Sequence, residues 1–251
     1  MDLGLKDKVA LVTGTGSQRG FGKGIALTLA REGSDIIAAD IDLKGAEQTA
    51  AEVKALGRKA IALEVDVTDK AKVDNMLKAA LEQFSRIDIL VNTAGVGTAP
   101  KLFVEMTQEE LEININVNLW GTMNCTKAVL PHMIENKSGK VVNFSSTVGV
   151  STMARGAVYG AAKAGILNFT GAVAAEVYEM GINVNCIAPG LGATNFHAAS
   201  GFPPQAIEMY KKMEAEGKTI TPQDIANAVA FLVSDVSKKV TGQYLKVAGS
   251  T

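Results

Sequence analysis

Two cysteines, two histidines, one tryptophan and six prolines are all that this 251-residue chain has of those types. The thiols, Cys125 and Cys186, both sit in mostly apolar stretches. That excludes a disulfide framework and fits buried free thiols, with a catalytic thiol or a single disulfide as lesser alternatives. His132 and His197 stand far apart, without the paired spacing of metal ligands, so no catalytic metal is expected. No apolar run approaches the roughly eighteen residues of a membrane span. No long run of one charge appears either: 25 basic residues face 26 acidic ones, for a net charge of -1 and a pI near 6.2. A polyanion-binding face or an acidic tail is thereby excluded, and the scarcity of aromatics leaves no stacking ladder for nucleic acid. The opening residues lack a basic-then-apolar signal pattern, so a cytoplasmic location is expected.

What is present is apolar and regularly punctuated. The hydrophobic fraction, 47%, is ample for a sizeable core. Apolar, β-branched runs at 9–13, 35–40, 59–65, 87–91, 139–145, 182–188 and 243–247 alternate with helical patterns. Gly33, Gly57 and Gly181 act as stops between them. Such alternation predicts βαβ units: a single α/β domain, a Rossmann-type doubly wound sandwich with a mostly parallel seven-stranded sheet and helices on both faces. The longest helical pattern, 108–135, is expected to kink or restart near Pro131. Thr221-Pro222 predicts a helix start. Over about 191–221 the pattern loosens around a short helix, as a substrate lid would.

The turn after the first strand reads Thr13-Gly-Thr-Gly-Ser-Gln-Arg-Gly-Phe-Gly22. Glycines between a strand and a helix let the backbone approach a pyrophosphate while the helix N-terminus presents N–H groups to it. Gly14, Gly16, Ser17, Gly20, Phe21 and Gly22 are the candidates here. Eighteen residues after Gly22, Asp40 closes the second strand, where a carboxylate accepts from an adenosine ribose 2′-OH and repels a 2′-phosphate. Its neighbour Ile41 supplies no compensating cation. NAD(H) is therefore favoured; Arg19, in the turn, could instead reach a 2′-phosphate and keeps NADP(H) as the alternative. Asp66 and Val67 could meet the adenine. Small residues in Asn92-Thr-Ala94-Gly95 would let the cofactor cross the sheet edge.

Tyr159 and Lys163 fall four apart on a helical pattern, one above the other on one face. A phenol is a poor base at neutral pH, and an ammonium one turn away favours the phenolate. The pair could move a proton to or from an alcohol or carbonyl oxygen. Upstream, Asn143-Phe-Ser-Ser146 ends an apolar strand in hydroxyls.

In order and spacing, the glycine turn, Asn92-Thr-Ala-Gly95, Asn118 in Asn-Val-Asn-Leu, Ser146 thirteen residues before Tyr159, Tyr159-Gly-Ala-Ala-Lys163 and Pro189-Gly190 resemble the classical short-chain dehydrogenase/reductase family over essentially the whole chain. The resemblance implies Tyr159 as general acid or base, Lys163 lowering its pKa and bonding the nicotinamide ribose, and Ser146 polarising the substrate oxygen. It also implies Asn118 supporting a water-linked proton route, Asn92 near the ribose, Thr194 near the carboxamide, and Pro189 and Gly190 among the cofactor contacts. Two departures stand out. The tandem Thr13-Gly14-Thr15-Gly16 carries two extra residues, expected to bulge before the helix, with Gly14 the less certain ligand. Gly192 replaces the family's usual aliphatic residue, implying a more mobile loop or a roomier pocket.

Substrate contacts are expected from loops 96–104, 147–157 and 191–217. They offer Val148, Met153, Phe196, Phe202, Met209 and Tyr210, with Arg155 and His197 as polar exceptions. An apolar set points to a hydrophobic or cyclic secondary alcohol and its ketone, oxidised with NAD(H). The alternative is a 3-oxoacyl thioester on an acyl carrier or CoA, whose phosphate Arg155 could meet. A non-catalytic NAD(H) sensor is a third reading, but it has no need of the serine, tyrosine and lysine. Family resemblance implies a homotetramer or homodimer joined through the helices at 108–135 and 159–180.

Overall fold

The computed structural model describes residues 2–249. Its elements in chain order are β1 (Val9–Thr13), α1 (Phe21–Arg31), β2 (Asp35–Asp40), α2 (Leu43–Ala55), β3 (Ala60–Glu64), α3 (Lys70–Phe84), β4 (Ile89–Asn92), α4 (Gln108–Ile115), α5 (Gly121–Glu135), β5 (Gly139–Phe144), α6 (Thr147–Val150), α7 (Ala157–Val177), β6 (Ile182–Pro189), α8 (Phe196–Ala199), α9 (Pro204–Ala215), α10 (Pro222–Val233) and β7 (Tyr244–Val247). The seven strands pair in the order β3-β2-β1-β4-β5-β6-β7, every pair parallel. The doubly wound expectation holds.

Alternate residues of each strand enter opposite cores, as a period of two requires. Ala10 and Val12 of β1 meet Ile25 and Leu29 of α1 and Ile225 and Val229 of α10. Val9 and Leu11 face Val73 of α3, Val129 of α5 and Val173 of α7. Fully burying a side chain of this kind stabilises the fold by roughly 1.5–3 kcal/mol. The inner strands β1, β4 and β6 are buried throughout and mostly apolar because both of their faces are covered.

The winding reverses between β1 and β4, which opens a crevice beyond their carboxyl ends. There the Thr93 hydroxyl donates to the Thr13 carbonyl, and the Ala94 N–H donates to Thr13 Oγ1 at 3.2 Å. These bonds stitch the two strand ends that the chain leaves in opposite directions.

One helix expectation needs correcting. Pro131 neither ends nor restarts the helix at 108–135, because α5 runs through it to Glu135. The carbonyl that Pro131 leaves without its usual donor belongs to Lys127, an exposed residue that water can serve. The break comes earlier, where Asn116–Trp120 form a π-helical turn between α4 and α5. Thr221 caps α10 as expected, accepting from the Asp224 N–H at 3.2 Å. Among the described residues no helix is long and apolar enough to cross a membrane, and no cluster of His, Cys, Asp or Glu is placed to hold a metal.

Candidate active site

The glycine turn presents α1 end-on to the crevice. Gly20 is the N-cap of α1 and no side chain caps the helix there, leaving first-turn N–H groups to be satisfied by an anion. A Cβ on Gly22 would lie 2.2 Å from the Gly14 carbonyl oxygen, so only glycine lets the helix sit against the turn. Gly14 has φ +73, and a Cβ there would meet the Ala94 nitrogen at 2.8 Å. Gly14, Ser17, Gly20, Phe21 and Gly22 line one cavity of about 970 Å³, at the upper end of ligand pockets.

Three sequence-derived cofactor residues lie elsewhere. Gly16 is off the cavity wall, and its N–H donates to Asp40 Oδ2 at 2.7 Å. Gly14 thus takes the cleft position that the sequence left uncertain. The extra residues fold inward between β2 and α2 rather than bulging: Thr15 is fully buried, its N–H donates to the Ala39 carbonyl of β2 at 3.4 Å and its carbonyl accepts from Thr49 Oγ1 of α2 at 2.8 Å. Arg19 turns outward to Glu214 of α9, at 2.5 Å. Asn92 points into the protein, donating to Thr126 Oγ1 at 3.0 Å and Asn143 Oδ1 at 2.9 Å. A buried amide needs partners more than it needs the crevice. Asp40, Ile41, Asp66, Val67, Ala94, Gly95, Pro189, Gly190 and Thr194 do line the cavity.

At the other end stand the hydroxyl, the phenol and the ammonium. Ser146 is the N-cap of α6, its hydroxyl oxygen accepting from the Val148 N–H at 3.2 Å. Tyr159 and Lys163 share a face of α7, with Lys163 Nζ 5.7 Å from the centre of the Tyr159 ring. That ammonium donates to the Phe144 carbonyl at 2.9 Å. Asn118 lies in the π turn, donating to the carbonyls of Val96 at 2.9 Å and Asn114 at 2.8 Å. A Cβ on Gly95 would be 3.0 Å from Asn118 Oδ1 and 3.5 Å from Lys163 Nζ, so the β4 loop, Asn118 and Lys163 meet at one point. Asn118 itself is fully buried behind that wall.

Burial dominates the titration here. It pushes the Tyr159 phenol up to about 12, partly opposed by a hydrogen bond with Ser146, and pushes Lys163 down to about 8. Lys163 is turned to the Phe144 carbonyl, one turn of α7 from the phenol.

A family model described as enoyl-(acyl carrier protein) reductase matches residues 14–249. The chain is 40% identical over 247 residues to the (2S)-[(R)-hydroxy(phenyl)methyl]succinyl-CoA dehydrogenase subunit BbsD of Thauera aromatica, covering 98% of this chain and 97% of that one. It is 36% identical over 245 residues to the 3-oxoacyl-[acyl-carrier-protein] reductase FabG of Thermotoga maritima, covering 98% of each. The chain belongs to the short-chain dehydrogenase/reductase family. It is thus an oxidoreductase acting on CH–OH groups. Among solved structures, the 3-ketoacyl-(acyl-carrier-protein) reductase of Brucella melitensis, complexed with NADH, superposes with a TM-score of 0.88 at 33% identity, covering 98% of both chains.

Beyond Tyr159 the cavity is lined by Val148, Met153, Arg155, Phe196 and His197, joined by Phe202 and Tyr210. Met209 faces solvent instead. Phe196 stands 5.9 Å from the Tyr159 ring, and His197 packs 5.0 Å from Phe202 and 4.1 Å from Tyr210. Burial lowers the His197 pKa, which keeps the imidazole a neutral wall residue at pH 7. Arg155 sits at φ +65, a left-handed conformation rare for a side-chain-bearing residue and one that concentrates at functional sites. Met106, Glu109, Glu112 and Ile113, around α4, close the far wall and went unseen in the sequence. The Thr107-x-x-Glu110 capping box marks where that helix starts, but nothing in its composition marks it as a wall.

The room that Gly192 was expected to leave is already taken. A Cβ there would lie 2.5 Å from Phe21 Cζ, so the Phe21 ring fills the space an aliphatic residue would take. Gly192 also bridges Ile220, while the Ala193 N–H donates to the Ile220 carbonyl at 2.8 Å. Gly192→Ala is expected to destabilise the protein by about 1–3 kcal/mol through overpacking. Adding Phe21→Leu restores most of that in urea melts; a loss that the second change does not relieve would contradict the pairing.

Proposed function

We propose that this enzyme interconverts a 3-hydroxyacyl thioester and its 3-oxoacyl form with NAD(H). The observation that carries the cofactor half is Asp40, whose carboxylate lines the cavity at the end of β2 and is held by two backbone N–H groups. An anion fixed there suits a ribose 2′-OH and opposes a 2′-phosphate. The fit extends to the uncapped α1 terminus and the close-packed Gly14 and Gly22, a cradle that any Cβ would fill. The substrate half is supported by the relatives, whose names place a secondary alcohol or ketone β to a thioester. A plain hydrophobic or cyclic alcohol, which the loops alone favour, becomes the second reading. The aromatic wall of Phe196, His197 and Phe202 supports it.

In reduction, the Ser146 hydroxyl donates to the substrate carbonyl oxygen and orients it. The Tyr159 phenol, neutral at pH 7, gives that oxygen its proton; in oxidation the phenolate takes it back. The Lys163 ammonium would steady the phenolate and help hold the nicotinamide ribose. Asn118 holds the Val96 backbone against Lys163, and Thr194, Pro189 and Gly190 shape the carboxamide side. NAD(H), when bound, supplies or accepts the hydride. The chain would act in the cytoplasm as a homotetramer or homodimer. Exposed Phe103, Val104, Ile113 and Trp120 near α4 support such an assembly, as does Gly171 of α7 with no neighbour beside it.

The test is a kcat/KM panel with NADH or NADPH against a 3-oxoacyl-CoA, a cyclic ketone and a linear ketone. The thioester with NADH is expected to lead by roughly tenfold or more, about one charged hydrogen bond's worth. A lead for the cyclic ketone would promote the second reading, and a lead for NADPH would overturn the cofactor half.

A further inference from the structure

The two extra residues of the glycine turn, Thr15 and Gly16, are used nowhere in the chemistry above, yet they are among the most constrained on this face. Thr15 is fully buried, and its N–H and hydroxyl both turn to the Ala39 carbonyl, one residue before Asp40. Gly16 donates its N–H to Asp40 Oδ2 at 2.7 Å, while its carbonyl accepts from Gln18 Nε2 at 2.9 Å. Gln18 Nε2 also reaches the Gly45 carbonyl at 3.0 Å, which ties the turn to the start of α2. A Cβ on Gly45 would lie 2.3 Å from the Gly16 oxygen, so the seat is closely fitted.

The other carboxylate oxygen, Oδ1, accepts from the Asp42 N–H at 2.9 Å. A carboxylate has about four lone-pair sites. With one site on each oxygen taken by backbone, its plane is fixed and one site per oxygen remains for a diol. Arg19, the cation of the same turn, is held away by Glu214, so it does not neutralise Asp40.

Resting on the NAD(H) reading above, we propose that Thr15 and Gly16 are positioning residues for cofactor selection: they hold the Asp40 carboxylate where it accepts from the adenosine ribose and repels a 2′-phosphate.

Gly16→Ala tests this, because the added Cβ would lie 2.8 Å from Asp40 Cγ and 3.0 Å from Asp42 Cβ, contacts that side-chain movement relieves. The dissociation constants of NADH and NADPH are measured by calorimetry for wild type, Gly16→Ala, Asp40→Ala and the double variant, with thermal melts alongside. The wild type is expected to prefer NADH. Gly16→Ala is expected to narrow the ratio of the two constants by roughly tenfold, the effect of one charged hydrogen bond. In the Asp40→Ala background the same change should move the ratio less than about twofold, since Gly16 acts through Asp40. If Gly16→Ala does not fold, Gln18→Ala loosens the same residue from its carbonyl side and is expected to narrow the ratio by about threefold.

A wild-type preference for NADPH overturns the cofactor reading and this inference together. A wild-type preference for NADH that Gly16→Ala leaves unchanged overturns this inference alone, as does an equal narrowing with Asp40 already removed.

Discussion

Tyr159→Phe lowers kcat for thioester reduction by about 10³-fold, within the range that positioned proton transfer supplies. NADH binding changes by less than about twofold, since the ring and its contact with Phe196 are kept. The loss falls on kcat rather than KM because the missing proton matters only in the transition state. The pH profile carries the same signature. Burial pushes the phenol up to about 12, so the acid form persists across neutral pH and the base form is scarce. Wild-type alcohol oxidation should therefore climb from pH 7 to 10 while reduction does not. A Phe variant that keeps a tenth of its activity, or oxidation flat with pH, would remove Tyr159 from its role.

Lys163→Met separates stability from activity. Its kcat falls about 10²-fold, because the phenolate loses its neighbouring cation. The stability effect has a definite sign. The Lys163 pKa is about 8 in the folded protein against an ordinary 10.5. Below about 8 the lysine is charged in both states and its buried charge opposes folding in full. Between about 8 and 10.5 the unfolded chain holds more protons than the folded one, so wild-type stability rises with pH. Above 10.5 the penalty is gone. Relative to Lys163→Met, the wild type should gain about 3 kcal/mol across that window, at 1.36 kcal/mol per unit. Urea unfolding of both proteins without cofactor, at pH 7 and pH 10.5, reads this out. A pH-independent difference would mean that Lys163 is not desolvated as the fold implies.

The fold was legible because its signals are local and repeated. β-branched runs and helical patterns recur often enough that a seven-stranded doubly wound sheet follows, and Thr221-Pro222 marks a helix start by cap chemistry alone. The π turn carrying Asn118 was not legible, since Asn116–Trp120 look like the helix on either side; only tertiary packing shows the extra residue in the turn. The site divides along the same line. Ser146, Tyr159 and Lys163 converge because two short-range spacings and one strand end place them. Gly16, Arg19 and Asn92 lie off the cavity because their partners, Asp40, Glu214 and Asn143, come from elements far along the chain. Gly192 misled for the same reason, since the residue that fills its space, Phe21, stands at the opposite end of the sequence. Spacing within one element is written in the sequence; which side chain answers a buried donor across the sheet is not.

The most direct measurement is deuterium transfer. The protein is incubated with NADH carrying deuterium at both C4 positions of the nicotinamide and a 3-oxoacyl-CoA, and the product is weighed by mass spectrometry, with Tyr159→Phe as control. The expected result is a 3-hydroxyacyl-CoA carrying one deuterium at C3, formed by the wild type and nearly absent in the variant. Unlabelled product, or label transferred only from the NADPH analogue, or equal yields from both proteins, would contradict an NAD(H)-dependent thioester oxidoreductase working through Tyr159.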